Sequence, residues 1–264
     1  MEDNRMYLPQ LLRKLELGEK LVALTCYDAS LARVMIESGV DILLVGDSLG
    51  MAVQGYDTTL PVSLDDMVYH TRAVRRGAGH GFVMADLPFG SYQGSPEQAF
   101  AASARLLSAG ANMVKLEGGS IMVDTVTFLS QRGIPVCGHL GLLPQSVNQT
   151  GYRAQAKESR AAQELLRDAS LLEESGAALL VLESIPSLLA AEVTQCLRIP
   201  TIGIGAGGQC DGQVLVINDL LGLTPKPPRF ARNFMPGAGD IPSAIQGYVA
   251  AVRTGTFPGP EHCF

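Results

Sequence analysis

Three stretches of the chain repeat one plan. ARVMIESGVDILLVGDS, ARLLSAGANMVKLEGG and ASLLEESGAALLVLES each run through a helix-spaced segment, a glycine, a short apolar strand and an acid. Counted from Gly39, Gly110 and Gly176, the acids Asp47, Glu117 and Glu183 arrive seven or eight residues later. A repeating helix–strand unit returns every strand in the same direction, because its crossovers keep one hand. Eight apolar runs fit the pattern, at 21–27, 41–46, 81–87, 112–117, 134–140, 178–184, 200–205 and 213–218. Several are almost continuously hydrophobic, as strands covered on both faces must be. Eight such strands in 264 residues predict an α/β fold, a (β/α)8 TIM barrel, with an open doubly wound sheet as the rival. No linker or low-complexity run divides the chain, so residues 1–264 are expected to form one domain.

Helix signals lie between the runs. In SPEQAFAASARLLSAG, Ser95 is the expected N-cap, Pro96 takes the first helical position, Gln98 completes a capping box and Gly110 ends the helix. Segments 63–76, 120–132, 159–175 and 187–198 read as helices too, the first opening on Ser63 with Asp65 and Asp66 behind it. From about residue 222 the chain is rich in Pro and Gly, and a last helix is expected near 240–253.

Charge and cysteine usage exclude several functions. A net charge of -6 argues against nucleic acid as a partner, since phosphate binding needs a basic face. Arg72, Arg75 and Arg76 form the densest basic cluster and read as solvated helix surface. Five scattered cysteines make neither a C-x-x-C pair nor an even framework, which disfavours zinc and disulfides and fits a reducing compartment. The opening MEDNRMYLPQ lacks the apolar core of a signal peptide, and the apolar runs are too short to span a bilayer. The expectation is a cytoplasmic protein with no membrane partner.

Strand ends open on one face of a parallel barrel, the face that carries active sites. The last residues of the runs are Tyr27 and Asp28, Asp47 and Ser48, Asp86, Lys115 and Glu117, His139, Glu183, and Gly205 with Gly207. Each has a bland alternative. An acid past a strand often only caps the next helix, and a lone histidine is often a satisfied core residue. Asp86 is more pointed, because MADLPFG continues into a proline loop. Lys115 and Glu117 stand two apart in a strand and so face the same side. Glu183, closing a buried run, needs a partner or a raised pKa. Carboxylates without a Cys or His cluster select a hard cation, Mg2+ first, and a lysine beside it suits an anionic substrate. That combination points to chelation of a small carboxylate ligand, a stabilised enolate and a separate glutamate for proton transfer. GIGAGG at 203–208 matches G-x-G-x-x-G, but no helix signal starts at once and no acid follows near 225, so dinucleotide binding is set aside.

Together LVGDSLGM, TLPV, VKLEGG, PVCGHLGL-PQSVN, LVLE and IGIGAG resemble, in order and spacing, the ketopantoate hydroxymethyltransferase family. The resemblance implies a barrel of the phosphoenolpyruvate/pyruvate type, a homodecamer in the cytoplasm, and the first committed step of pantothenate synthesis. In that step a hydroxymethyl group passes from 5,10-methylenetetrahydrofolate, the co-substrate, to 3-methyl-2-oxobutanoate. It implies one Mg2+ per subunit held by Asp47, Asp86 and Glu117. It assigns the keto acid to Asp47, Ser48, Asp86 and Lys115, with His139 nearby, and proton acceptance to Glu183. The chain departs from the family pattern at QTGYRAQ, one residue short of the usual loop, and at Asn218, commonly His. Two rivals remain: another Mg2+-enolate barrel acting on a 2-oxo acid without folate, and a non-catalytic 2-oxo-acid sensor. The first often recruits a cysteine near the mouth, and none of the five sits in a suitable loop.

Overall fold

The computed structural model describes residues 6–264; the polar Met1–Arg5 of the opening segment lie outside them. Eight parallel strands close into a barrel in chain order: β1 (Leu21–Thr25), β2 (Ile42–Val45), β3 (Phe82–Asp86), β4 (Met113–Glu117), β5 (Val136–Gly141), β6 (Leu179–Glu183), β7 (Thr201–Ile204) and β8 (Gly212–Leu215). The ring closes where Leu21 pairs with Gly212 and Leu24 with Leu215. Apart from the partly exposed Gly141 and Glu183, which close β5 and β6, every strand residue is buried, which is why several of the runs read as almost continuously apolar sequence. Each buried Leu, Ile or Val contributes roughly 1.5–3 kcal/mol.

Helices Ala29–Glu37, Leu64–Ala78, Pro96–Ala109, Ser159–Glu174, Ser187–Cys196 and Ile241–Arg253 fall close to their expected places. The segment after β4 starts as a 3-10 turn, Ser120–Met122, before its helix Val123–Ser130. Ser63 and Asp66 cap the second of these helices reciprocally. Ser95 accepts from Gln98 N–H as expected, but Gln98 Oε1 reaches past it to Gly94 N–H at 3.1 Å. That hydrogen bond secures the loop ahead of the helix instead of closing a capping box.

One expectation holds and others change. Between β7 and β8 the described chain makes only turns, so the GIGAGG glycines precede no helix. The eighth run stops at Leu215, where Ile217 N–H turns to Thr25 Oγ1 at 2.9 Å; Asn218 then lies in the short helix Ile217–Leu220. Arg75 is not solvated surface. Its guanidinium donates to Gly110 O at 2.7 Å, Gly81 O at 2.8 Å and Asn112 Oδ1 at 2.5 Å. It laces the helix before β3 to the turns entering β3 and β4. No described helix is long and apolar enough to cross a membrane.

Candidate active site

Register brings the strand-end groups together. In a parallel pair, opposed residues point the same way, and Asp86 opposes Lys115 while Glu117 opposes His139. Lys115 Nζ lies 3.0 Å from Asp86 Oδ1 and 3.4 Å from His139 Nδ1. His139 stands between two glutamates, with Nδ1 3.5 Å from Glu117 Oε1 and Nε2 3.2 Å from Glu183 Oε2. Asp86 Oδ2 accepts the Asp47 N–H at 3.0 Å, and Ser48 Oγ lies 2.9 Å from the Tyr27 hydroxyl. All of Asp47, Ser48, Asp86, Lys115, Glu117, His139 and Glu183 line one cavity of about 790 Å3. Asp28 is not among them; it caps the following helix through Ser30 and Leu31 N–H, the bland alternative for a strand-end acid.

Backbone constraints aim these groups. At Gly141, which opposes Glu183, φ is +98° and a Cβ would stand 2.1 Å from Glu183 O. Ser184 takes φ +50°, the left-handed region that a non-glycine residue occupies only when its surroundings over-determine it. Ser184 N–H donates to Ile204 O at 2.8 Å and Ser184 O accepts from Gln155 N–H at 2.9 Å. Those bonds hold the turn directly after Glu183.

Charge at the mouth does not balance. Burial, then the neighbouring Asp86 and Glu117, push the Asp47 carboxyl well above its ordinary range. For Lys115 burial acts downward, but Asp86, Glu117 and Asp47 outweigh it and hold the ammonium charged. Glu117 is likewise buried, yet His139, Lys115 and the Gln145 N–H keep it below the usual range. His139 is raised, its burial and the Lys115 charge being outweighed by Glu117 and Glu183. Asp86 Oδ1, though beside Lys115, is buried without an aligned hydrogen bond. Four carboxylates therefore face one lysine and one histidine, an arrangement that is costly unless a cation or a proton joins it.

The arrangement is less closed than the expected three-acid ligand set. Among the described residues no three His, Cys, Asp or Glu side chains stand together as a metal site, because Glu117 turns to His139 and Gln145. The pair Asp47 and Asp86, with its excess charge and an Asp86 Oδ1 met only by the Lys115 ammonium, still suits a hard cation. Mg2+ takes one or two carboxylates and keeps water or substrate oxygens for the rest.

Two buried participants escaped sequence reasoning. Gln145 donates through Nε2 to Asp47 Oδ2 at 2.9 Å, and Tyr92 bonds both Gln145 and Glu117. Gln145 lay inside the quoted PQSVN motif, which could have flagged it; Tyr92 sits in a loop with no periodic signal.

The ketopantoate hydroxymethyltransferase family matches residues 5–260. The 3-methyl-2-oxobutanoate hydroxymethyltransferase of Thiobacillus denitrificans is 61% identical over 248 residues, covering 94% of this chain and 95% of that one. Its namesake in Nitrosomonas europaea is 56% identical over 263 residues, covering 99% and 98%. Among solved structures, phosphonopyruvate hydrolase in complex with oxalate and Mg++ superposes with a TM-score of 0.63 at 14% identity, covering 83% of this chain and 84% of that one. A 2,3-dimethylmalate lyase of the PEP mutase/isocitrate lyase superfamily gives 0.58 at 17% identity, covering 82% and 80%. These distant likenesses show the shared barrel fold. On the family match along nearly its whole length, and on relatives sharing more than half its residues, the chain belongs to the ketopantoate hydroxymethyltransferase family of enzymes.

Proposed function

We propose that this enzyme transfers a hydroxymethyl group from 5,10-methylenetetrahydrofolate to 3-methyl-2-oxobutanoate, giving 2-dehydropantoate and tetrahydrofolate as the first step of pantothenate synthesis. The observation that carries the reading is the convergence of Asp47, Asp86, Lys115, Glu117, His139 and Glu183 on one cavity. Asp47 and Asp86 would hold one Mg2+ per subunit, with Glu117 as the third acid. Bound there, the ion supplies Lewis acidity toward the keto acid's oxygens and so acidifies the C3 proton.

The remaining work falls to the chain. Lys115, kept charged by the acids around it, and the Ser48 hydroxyl hold the substrate carboxylate. Glu183, its side chain 13% exposed toward the cavity, takes the C3 proton. The C–H electron pair becomes the C2–C3 π bond and the keto oxygen gains the charge. C3 then attacks the folate-borne methylene carbon as one of its two C–N bonds breaks, that nitrogen taking the proton held by Glu183. Water displaces the second folate nitrogen, supplying the hydroxyl oxygen and leaving its other proton on that nitrogen. His139, between Glu117 and Glu183, orients Glu183. A homodecamer of one-domain subunits in the cytoplasm, carried over from the family resemblance, completes the reading; sedimentation of the purified protein tests the assembly.

Proton NMR of 3-methyl-2-oxobutanoate in D2O, with enzyme and Mg2+, tests the chemistry. Solvent deuterium is expected to enter at C3 without folate, and 2-dehydropantoate to form only when the folate is added. No exchange would reduce the protein to a 2-oxo-acid sensor. Carbon–carbon bond cleavage without folate would make it a lyase.

A further inference from the structure

Gln145 is buried, at 6% exposure, and both ends of its side-chain amide are saturated. Nε2 donates to Asp47 Oδ2 and to Leu87 O, each at 2.9 Å. Oε1 accepts from the Tyr92 hydroxyl at 2.7 Å and from Gln93 Nε2 at 3.0 Å. Its backbone N–H donates to Glu117 Oε2 at 3.0 Å. One residue thus holds an oxygen from each of two acids that leave different strands, β2 and β4.

Tyr92 fixes which way the amide points. Its hydroxyl, 1% exposed as a residue, accepts the Glu117 N–H at 3.0 Å. A phenol has a single proton to give, and the short contact sends it to Gln145 Oε1. The NH2 must then face Asp47. Reversal would set the amide oxygen against both the Asp47 carboxylate and the Leu87 carbonyl and leave the phenol only its longer contact to Glu117 O at 3.3 Å.

Asp47, Asp86 and Glu117 stand close enough to repel one another, and like charges left free would turn apart. With Oδ2 of Asp47 and Oε2 of Glu117 held, Oδ1 of Asp47 is left to another partner, and Oε1 of Glu117 meets only His139 Nδ1, at 3.5 Å. We infer that Gln145, oriented by Tyr92, is the positioning residue of the cation site, selecting the carboxylate oxygens that Asp47 and Glu117 present. This rests on the cation reading above. It adds a pair of neutral residues to a site otherwise described by its charges, at the place where partners behind metal ligands set affinity.

Gln145→Met keeps length and bulk while removing every side-chain donor and acceptor of the amide. Tyr92→Phe keeps the ring and removes the proton. Free Mn2+ is followed by electron paramagnetic resonance as the purified full chain is titrated, with no substrate present and with folding checked by circular dichroism. Mn2+ affinity is expected to fall roughly 10–100-fold in Gln145→Met and about threefold to tenfold in Tyr92→Phe. Folded variants that bind Mn2+ within twofold of the unmodified protein would overturn the inference, whatever their melting temperatures. Should Gln145→Met fail to fold, Tyr92→Phe decides alone by the same twofold criterion. If the unmodified protein binds no Mn2+, the cation reading falls and the positioning role with it.

Discussion

The two ends of the barrel bury aspartates in opposite ways. On the floor, Asp41 precedes β2 at 4% exposure. Its Oδ1 lies 2.5 Å from Lys14 Nζ and 3.5 Å from Arg253 Nη2, and its Oδ2 accepts the Val22 N–H at 2.9 Å. Two cations serve one carboxylate there, and both reach water. At the mouth, one β-strand length away, four carboxylates share Lys115 and His139. The floor is neutralised by the protein itself. At the mouth the carboxylates outnumber the cations packed directly against them. Burial of an acid is therefore uninformative about function until its counter-charges are counted.

That contrast can be broken most forcefully at Glu183. Glu183→Gln keeps shape but cannot accept a proton, so turnover is expected to drop roughly 10²–10⁴-fold while keto-acid binding, measured by calorimetry, stays within a few-fold. Near-normal turnover would remove Glu183 from the chemistry. At Asp86, replacement by Asn removes one charge of the pair beside Lys115. Mg2+ titrations of activity and keto-acid binding should both weaken, by roughly 10–100-fold, and unchanged titrations would reject Asp86 as a ligand.

On the floor the expected loss is of stability alone. Asp41→Ala leaves the Val22 N–H unpaired and should cost about 3 kcal/mol in urea unfolding, with activity per folded molecule unchanged. A loss of activity exceeding the unfolded fraction would mean that the two ends are coupled. Asp47→Asn sharpens the comparison with the opposite sign. Its carboxyl is raised in the folded state, so the folded protein binds more protons than the unfolded chain above the ordinary Asp value of about 3.9. Stability from this group is then lost as pH rises through the folded pKa. In EDTA, Asp47→Asn should flatten that decline and gain about 1 kcal/mol at neutral pH. An Asn variant less stable than its parent would mean that Asp47 holds the fold together.

The fold was legible because its unit repeats: helix, glycine, strand and acid each carry a local signal, and parallel closure follows from chirality. Asp47, Asp86, Lys115, Glu117, His139 and Glu183 were legible because a strand end is a position that sequence can mark. Arg75 was misread, since its partners at Gly81, Gly110 and Asn112 are known only once two turns meet. Gln145, in the 3-10 turn Pro144–Ser146, and Tyr92, in a loop, are separated by 53 residues, and no period links them. The eighth strand ended early for a similar reason: its competitor, Thr25 Oγ1, stands at the other end of the chain.

A consequence lies at Gly141. With a left-handed backbone and only 2.1 Å between a notional Cβ and the carbonyl of Glu183, the site tolerates nothing bulkier than hydrogen. Adding even a methyl group would shove β6 outward and carry the glutamate with it. Reactivity at this mouth thus depends on an atom that was never there, and mutational drift at position 141 is closed before chemistry is consulted.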